Sequence, residues 1–507
     1  MGYPLAAIAG LALALSFPRY GHPAFGWVAL APLLAALCVP AVRVGRTAGR
    51  AFLLGLVTGL VYFAGTVYWT SGVMARYGGL ATPVAIAIAG LLVAYLALFP
   101  ALFALGTHLL VARGGASWIW LAPVVWAASE YGRLRLFGGF PWVLLGYSQV
   151  EVLPIAQLAS LTGVFGLSLL LAATSTALVW PFVARGRTRW LAPSAVAAVV
   201  AGLAIWGAAR VGDSRLTREG RPLQVGLVQG NVPQDQKWDP DHAAEIFARY
   251  LRLTREVMEQ GADLVLWPES STPFSFGRSA ETAQLQVLAR EHQVPILLGS
   301  DHWERDGDAV RVYNAAFLVG PDGQTRGVYR KVRLVPFGEY VPLRSLLFFA
   351  RPLVQAVSDF SAGTEVNTLP LDGAAVSTAI CYEVVYPALI RQGVLNGSAL
   401  LTTITNDAWF GRSSAPWQHF AMASMRAIEQ GRYLVRAANT GISGAVDPYG
   451  RVLLASDLFV TGAWVVPARL LDGMTVYARI GDVAGWGSAL LTALALVVVG
   501  RRPAARR

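Results

Sequence analysis

The chain has 507 residues, of which 55% are hydrophobic and 14% are charged. Ordinary soluble proteins carry roughly a quarter charged residues, so this composition excludes a typical soluble protein. The net charge of +11 lies largely in short loops between apolar runs. This distribution indicates membrane topology and argues against a nucleic-acid partner. The length allows more than one domain.

Apolar segments dominate the first part of the chain, and a membrane-spanning helix needs about 20 such residues. Seven candidates precede residue 210, and an eighth lies near the end of the sequence. Their approximate ranges are 4–17, 24–42, 51–72, 82–112, 117–131, 154–184, 190–209 and 478–500.

Arginines in the connecting loops predict the orientation of these spans. With the N-terminus in the cytoplasm, the inner loops and tail hold 11 arginines and the short outer loops hold 4. The inner set is Arg43, Arg46, Arg50, Arg113, Arg185, Arg187, Arg189, Arg501, Arg502, Arg506 and Arg507; the outer set is Arg19, Arg76, Arg133 and Arg135. This positive-inside bias predicts cytoplasmic termini and places the polar block before the last span outside the cytoplasm.

That polar block alternates strand-like and helix-like segments. The predicted strands are 223–229, 263–267, 294–300, 315–320, 375–381 and 399–405. Helical patterns over 241–260 and 279–292 separate the first three of them. The alternation indicates an α/β domain, but it does not decide between a doubly wound sheet and a sandwich. We therefore predict a seven-span membrane domain over 1–219, a catalytic domain over 220–470, and a final span with a basic tail over 471–507.

Cys381 ends a buried, β-branched run, VSTAI, and is followed by Tyr382 and Glu383. A strand end is a usual position for a catalytic group, although a lone cysteine is more often a small core residue. The other cysteine, Cys38, lies inside a distant apolar segment, so no disulfide framework is expected. The sequence contains neither an HExxH motif nor a CxxC pair nor a histidine cluster, so no metal site or cofactor is expected either.

Two further segments favour chemistry at Cys381. DLVLWPE ends at Glu269, and RKVRLVPFGEYVP contains Lys331. A buried carboxylate can activate a thiol, and a fixed cation can stabilise the oxyanion of a tetrahedral intermediate. We expect the apolar strand and Trp267 to raise the pKa of Glu269. Because 39 of the 41 basic residues are arginine, a lysine retained at position 331 suggests that a compact ammonium is required there.

The strings WPE, RKxxLVPFGEYVP and CYE, in this order, resemble the nitrilase superfamily. Together with the apolar segments, QGNVPQDQKW (229–238) and TNDAWFG (405–411), they resemble the apolipoprotein N-acyltransferase family over essentially the whole chain. The resemblance implies that Glu269, Lys331 and Cys381 form a Glu-Lys-Cys catalytic triad. It also implies a four-layer αββα sandwich for the polar block.

The resemblance also specifies substrates and location. The acyl donor would be a membrane glycerophospholipid, and the acceptor the α-amine of an N-terminal diacylglyceryl-cysteine on an apolipoprotein. A thioester on Cys381 would carry the acyl group between them in a ping-pong scheme. The protein would be a monomeric, multi-pass protein of the bacterial inner membrane with a periplasmic catalytic domain, and it would need no cofactor.

Five residues are candidates for supporting roles. Glu339 would position Lys331 or the attacking amine, or form a structural ion pair. The Tyr382 N–H would donate to an oxyanion. Glu383 would orient Lys331 or brace the strand end. Trp238 and Trp409 lie in loops that look like the family's substrate loops, but they could equally anchor in the bilayer surface. His419 is the only histidine of the sequence near a motif, and it is predicted to be a polar surface residue.

Residues 341–357 are strongly apolar but too short and too broken by proline to span a membrane, and we expect a lid in the outer bilayer surface. Two other functions compete with acyl transfer. One is a membrane-anchored amidase or nitrile hydrolase that uses the same triad with water as the acceptor. The other is a transporter with a non-catalytic external domain, which the presence of all three triad residues disfavours.

Overall fold

A computed structural model describes residues 2–39, 47–307, 309–336, 338–340 and 360–501, so the expected lid lies outside the described residues. The chain forms two compact units. One comprises Met1–Gly72, Ala81–Asp213 and Thr475–Arg507, and the other comprises Val73–Leu80 and Ser214–Met474. The domain boundaries at 219/220 and 470/471 stay predictions. The short segment Val73–Leu80, which belongs to the second unit, was not anticipated from sequence.

The α-helices follow the order expected from the apolar and amphipathic patterns. They are α1 Gly2–Ala14, α2 Ala24–Val28, α3 Ala31–Cys38, α4 Ala48–Val67, α5 Trp69–Tyr77, α6 Thr82–Gly114, α7 Ala122–Arg135, α8 Leu153–Ala156, α9 Ala159–Val183, α10 Leu191–Asp213, α11 Pro240–Glu259, α12 Thr282–His292, α13 Pro387–Leu395, α14 Ala415–Gln430, α15 Val476–Ile480 and α16 Val483–Gly500.

Within the described ranges, five helices are long and apolar enough to cross a membrane. They are Ala48–Val67, Thr82–Gly114, Ala159–Val183, Arg187–Thr217 and Val483–Gly500. The apolar helices at Gly2–Ala14 and Ala24–Cys38 are shorter. The candidate at 117–131 is a 3₁₀ turn followed by α7, which carries charged side chains. Several apolar helices are therefore established, and the count of eight spans stays a prediction.

Small residues let helices of the first unit approach closely. A Cβ added to Gly59 of α4 would lie 2.6 Å from the Cα of Ala97 in α6. Helix contacts of this kind, with glycine or alanine at the interface, are typical of membrane bundles because they maximise van der Waals packing. Thr58 of α4 also donates a hydrogen bond to the carbonyl of Ala6 in α1, at 2.9 Å.

An irregular buried segment, residues 140–150, is held by two charged side chains of α7. Arg133 donates to the carbonyl of Trp142 at 2.5 Å, and Glu130 accepts from the N–H of Leu145 at 2.7 Å. Both charged residues are buried. The segment includes the 3₁₀ helix Leu145–Gln149 and no α-helix. Because backbone that is not α-helical needs other partners for its polar groups inside a helical bundle, these side chains supply hydrogen bonds to it.

The second unit contains two sheets of six described strands each. Their bounds are β1 Arg221–Gln229, β2 Leu264–Leu266, β3 Ile296–Asp306, β4 Ala309–Val319, β5 Thr325–Arg330, β6 Leu369–Leu371, β7 Ala374–Ile380, β8 Leu400–Thr405, β9 Leu434–Ala438, β10 Gly444–Val446, β11 Val452–Ala455 and β12 Gly462–Leu470. The first sheet has the order β12-β1-β2-β3-β4-β5, and the second has the order β11-β10-β9-β8-β7-β6.

The two faces of the first sheet bury alternate residues of each strand. Leu264 and Leu266 of β2 belong to the core between the sheets, whereas Val265 packs in the outer core against helices α11 and α12. Helices α13 and α14 pack against the second sheet. Because both faces of the strands are covered, the strands appear in sequence as continuous apolar runs. The predicted four-layer αββα sandwich is confirmed.

The neighbouring strands β1, β2 and β3 are parallel, as are β7, β8 and β9. Parallel neighbours end at the same edge of a sheet, so residues that follow β2, β7 and β8 are brought to one edge of each sheet. All six predicted strands are present, with shifted ends. The shorter or more polar strands β5, β6 and β9–β12 were not predicted.

Candidate active site

Cys381 follows β7 directly, as predicted, and begins a 3₁₀ turn over Cys381–Val385. Its backbone has φ of 53°, in the left-handed region that residues with a side chain rarely adopt. Strained backbone of this kind is concentrated at functional sites, because the surrounding structure must hold it in place. The residue is buried at the end of β7, next to the neighbouring parallel strand β8.

Glu269 lies three residues beyond β2, and its carboxylate connects the two sheets. Oε1 accepts hydrogen bonds from Asn314 Nδ2 at 2.7 Å and from Lys331 Nζ at 3.2 Å. Oε2 accepts from the backbone N–H of Asn406, just past β8, at 2.9 Å. The base candidate of the first sheet is thereby fixed beside the strand ends of the second.

Lys331 follows β5, and its ammonium is buried between two carboxylates. Nζ donates to Glu339 Oε1 at 2.9 Å as well as to Glu269. Its backbone N–H donates to the carbonyl of Asn314 at 2.9 Å, which fixes the main chain at this position. Glu339 also accepts from Asn314 and from the N–H of Val335, so this second carboxylate contacts the lysine and is itself held in place.

Lys237, the other lysine of the chain, lies in the same site and was missed from sequence. Its Nζ donates to the backbone carbonyl of Glu269 at 3.1 Å, and the side chain is buried. The signal was available, because the scarcity of lysine that singled out Lys331 applies equally to Lys237. Burial lowers the pKa of Lys237 to about 8, although the carboxylates of Glu269 and Asp301 act in the opposite direction.

The charges in this site define a resting protonation state. Burial raises the pKa of Glu269, but Lys331, the hydrogen bond from Asn314 and Lys237 together outweigh it, so the net pKa lies below its ordinary value. The expectation of a raised pKa was therefore wrong. Burial and the negative charge of Glu269 raise the pKa of the Cys381 thiol, despite the opposing effect of Lys331. The site accordingly holds an ionised carboxylate near a neutral thiol.

A second buried cluster surrounds Cys381 from the other side. Arg436 donates to Asp407 Oδ2 at 2.8 Å, and His419 Nδ1 lies 3.1 Å from Asp407 Oδ1. His419 Nε2 lies 3.1 Å from the carbonyl oxygen of Cys381. The prediction that His419 is a surface residue was wrong: it is fully buried, because its amphipathic helix α14 turns this side chain toward the nucleophile.

Glu383 braces the strand end and the loop after Lys331. It accepts from the N–H groups of Val332, Arg333 and Ile380 at 2.6, 3.0 and 2.8 Å. It also accepts from the Tyr329 hydroxyl at 2.9 Å. Burial raises its pKa to about 7, against the effect of the backbone donors. Of the two roles left open from sequence, these contacts favour the brace. Tyr382 is buried beside it, with its ring 5.3 Å from that of Tyr386.

The two tryptophan candidates have different surroundings. Trp238 is 49% exposed, which leaves both a substrate contact and a membrane contact open to it. Trp409 lies in an edge-to-face contact with Tyr77, at 4.9 Å between ring centroids. The Tyr77 hydroxyl also donates to the carbonyl of Ala408 at 3.1 Å. The segment 73–80 thus packs on the loop that carries Trp409.

The site has the groups for acyl transfer through a thiol. Within the parts of the chain that the structure describes, no three His, Cys, Asp or Glu side chains are grouped to hold a metal ion. A nucleophile at a strained strand end, an ionised base and a buried ammonium are the groups needed to form and discharge a thioester.

Two family models match the chain in succession. Residues 9–178 match the apolipoprotein N-acyltransferase N-terminal domain, and residues 224–472 match the carbon-nitrogen hydrolase domain. A protein of Geobacter metallireducens named apolipoprotein N-acyltransferase is 41% identical, covering 97% of this chain and 95% of its own length. A protein of Methylococcus capsulatus with the same name is 37% identical over 94% of this chain and 92% of its own.

Solved structures of two enzymes are similar to part of the chain. An amidase from Nesterenkonia sp. covers 52% of it, with 94% of the amidase aligned, 22% identity and a TM-score of 0.37. A carbon-nitrogen hydrolase from Helicobacter pylori covers 50%, with 90% of that chain aligned, 15% identity and a TM-score of 0.38.

Proposed function

We propose that this chain, which belongs to the apolipoprotein N-acyltransferase family, transfers a fatty acyl group from a membrane phospholipid to the N-terminal amine of a lipoprotein. It is an enzyme of the acyltransferase class with a nitrilase-type catalytic domain. Its substrates are lipids and lipoproteins. The finer assignments are a glycerophospholipid donor and, as acceptor, the α-amine of an S-diacylglyceryl-cysteine.

The observation that carries the mechanism is the buried contact between Glu269 and Lys331, fixed beside Cys381 through Asn406. In the first step the Cys381 sulfur attacks the ester carbonyl of the phospholipid while Glu269 accepts the thiol proton. The carbonyl oxygen becomes an oxyanion beside the Lys331 ammonium. The ester C–O bond then breaks, and the proton on Glu269 passes to the lysophospholipid alcohol.

Charge is conserved next to Lys331 during this step. In the resting site Lys331 faces two carboxylates, Glu269 and Glu339. When Glu269 takes the proton it becomes neutral, and the new oxyanion replaces the negative charge that was lost. Because the donors are already in place, little reorganisation accompanies the change, which is how preorganised sites stabilise a transition state.

The second step repeats the chemistry with an amine. The neutral α-amine of the acceptor attacks the thioester carbonyl, and Glu269 accepts one of its N–H protons. Collapse of the tetrahedral intermediate breaks the C–S bond, and the proton returns from Glu269 to the Cys381 thiolate. The products are an N-acylated lipoprotein and the free enzyme. The same base and cation therefore serve both half-reactions.

The apolar helices support a membrane location, which matches lipid substrates. We propose that the chain is a monomer in the inner membrane of a bacterium. The arginine distribution supports cytoplasmic termini and a periplasmic catalytic domain. A reporter active only outside the cytoplasm should be active when fused after Leu216 and silent when fused at Arg187. The opposite pattern would overturn this orientation.

Mass spectrometry of a diacylglyceryl model lipopeptide tests the proposed function. Purified protein incubated with the lipopeptide and phospholipid should add one fatty acyl group to the lipopeptide's α-amine. An amidase with the same triad would use water as the acceptor, so release of free fatty acid without N-acylated peptide would contradict the proposal and favour hydrolysis.

A further inference from the structure

His419 joins the carbonyl of the nucleophile to a buried ion pair. Its Nε2 lies 3.1 Å from the Cys381 carbonyl oxygen. A carbonyl oxygen only accepts hydrogen bonds, so the facing Nε2 carries the proton and donates. The ring is fully buried, and its pKa is lowered by burial and by the Arg436 charge. The side chain is therefore a neutral, fixed donor aimed at Cys381.

The other face of the imidazole is fixed by two charged groups. Arg436 NH2 lies 3.0 Å from Nδ1, and the same nitrogen donates to Asp407 Oδ2 at 2.8 Å. The guanidinium can direct one N–H to each acceptor, because Nδ1 of the neutral Nε2–H tautomer is an acceptor. Asp407 and Arg436 are both buried, so this pair has a single well-defined arrangement.

Asp407 also holds the end of the strand beside the nucleophile. Its Oδ1 accepts from the Thr405 hydroxyl at 2.8 Å, at the end of β8. A chain of contacts therefore runs from Thr405 through Asp407, Arg436 and His419 to the carbonyl oxygen of Cys381. Cys381 is the residue that has the unfavourable positive φ.

The contact at the Cys381 carbonyl oxygen determines where the next N–H points. The peptide unit is planar and trans, so the Cys381 C=O and the Tyr382 N–H lie in one plane and point in opposite directions. A donor that holds the carbonyl in place consequently fixes the direction of that N–H. Tyr382 follows the nucleophile, which is the position from which a backbone N–H can donate to the oxyanion formed there.

We propose that His419 is a positioning residue that fixes the Cys381–Tyr382 peptide plane, so that the Tyr382 N–H donates to the oxyanion during acyl transfer. Arg436 donates to Nδ1 and thereby favours the Nε2–H tautomer, and Asp407 holds Arg436 in place. This inference rests on the proposed acyl transfer through Cys381, and it adds a second oxyanion donor to the Lys331 ammonium.

Matched substitutions of His419 separate the effect of its N–H donor from the effect of its size. His419→Gln places an amide N–H close to the position of Nε2, whereas His419→Met has a similar length and no donor. His419→Asn retains a polar group near Asp407 but is too short to reach Cys381. Loss of one oxyanion donor typically slows reaction about 10²–10³-fold. We expect the Met and Asn variants to lose roughly 10- to 10³-fold in the rate of acyl-enzyme formation, and the Gln variant to recover much of it.

Two reactions of the same thiol test the proposal. The first is single-turnover acylation of Cys381 by phospholipid, followed by intact mass. The second is alkylation by iodoacetamide, followed by mass spectrometry of the peptide that contains Cys381. Alkylation displaces iodide and forms no oxyanion, so a misdirected Tyr382 N–H should not slow it. The proposal requires slow acylation with alkylation within a few fold of the wild-type rate.

Several outcomes would overturn the proposal. If His419→Met is acylated at the wild-type rate, the His419 donor is not needed to position the peptide plane. If the rates of acylation and alkylation fall in parallel, His419 only maintains the structure of the site. If the Met variant fails to fold, the Asn and Gln variants make the same comparison, and equal acylation rates in those two would also overturn it. Wild-type protein that takes no acyl group from phospholipid would instead refute the proposed function.

Discussion

The two sheets contribute opposite kinds of buried charge cluster to one site. The first sheet supplies Glu269, Lys331 and Glu339, in which two carboxylates share one ammonium. The second supplies Asp407 and Arg436, a one-to-one ion pair with full burial on both sides. One cluster has a charge distribution that can shift when a proton moves. The other is balanced and fixed.

This difference separates groups that we expect to take part in the reaction from groups that fix the orientation of their neighbours. In the first cluster, protonation of Glu269 leaves Lys331 with room for a new negative charge, which suits a base and an oxyanion donor. In the second, burial raises the pKa of Asp407, but the Arg436 charge and the Thr405 hydroxyl act against it, and the net pKa lies below its ordinary value. It therefore stays ionised and serves to orient its neighbours. The following predictions test this division, from the largest effect to the smallest.

Removal of the nucleophile should have the largest effect. Cys381→Ala should lower N-acylation of a lipopeptide by at least roughly 10⁴-fold, because loss of a covalent nucleophile removes the whole two-step route. The matched control is Cys38→Ala, which changes the other cysteine, in the helical unit, and should retain wild-type activity. Residual turnover near the wild-type rate in Cys381→Ala would refute the assignment.

Exchange of the ammonium for a guanidinium tests the geometry of the first cluster. Lys331→Arg keeps the charge but cannot place a compact donor between Glu269 and Glu339, so we expect a loss of about 10²–10³-fold in kcat. Phospholipid binding should change little. The matched control is Arg330→Lys at the neighbouring, partly exposed position. Wild-type turnover in Lys331→Arg would show that charge alone is sufficient.

Neutralising one carboxylate in each cluster should have unequal effects on stability. Asp407→Asn leaves the buried Arg436 without its counter-charge, which typically costs about 3–5 kcal/mol. Glu269→Gln leaves Lys331 paired with Glu339, so its unfolding transition should stay close to that of the wild type. The measurement is thermal or denaturant unfolding of the two variants in the same detergent. Equal destabilisation would erase the proposed distinction.

Lys237 tests how far charge beyond the triad tunes the base. Its positive charge is one of the causes that lower the pKa of Glu269, so Lys237→Met should raise that pKa. Glu269 must be ionised to accept a proton, and activity is lost as pH falls through its pKa. The acidic limb of the pH profile should therefore move to higher pH. At a fixed pH below the limb, a rise of one in the pKa of Glu269 should lower activity roughly tenfold.

The control for this prediction is Lys237→Arg, which keeps the positive charge and should leave the limb near its wild-type position. A limb that does not move in Lys237→Met would show that Lys331 and Asn314 alone set the pKa of Glu269. The effect should be smaller than that of any change to the triad, because the Lys237 ammonium donates to the backbone carbonyl of Glu269.

The sequence predicted Glu269, Lys331 and Cys381 as the reacting groups because each lies at or near the edge of an apolar segment. Cys381 and Glu269 lie just past strands β7 and β2, and the four-layer fold followed from the resemblance carried by the same motifs. The pKa of Glu269 could not be predicted, because its direction depends on Lys237, Asn314 and Lys331, which approach from three separate segments.

The cluster of Asp407, His419 and Arg436 was not predicted from the sequence because its members occur in otherwise regular elements. His419 lies in an amphipathic helix, where a polar residue is ordinarily solvent-facing. One signal was present. Arg436 occurs inside the apolar strand LVRAA, and a charge in a buried strand requires a partner. That partner, Asp407, lies in the TNDAWFG string, but its distance in sequence gave no indication that the two side chains meet.

The most direct test of the account is whether Cys381 carries an acyl group in the absence of acceptor. Purified protein incubated with phospholipid alone should gain the mass of one fatty acyl chain, located on Cys381 and released by hydroxylamine. Subsequent addition of lipopeptide should discharge it into N-acyl product without further phospholipid. If no acylated enzyme forms, or if product appears only when both substrates are present together, direct transfer would replace the thioester mechanism.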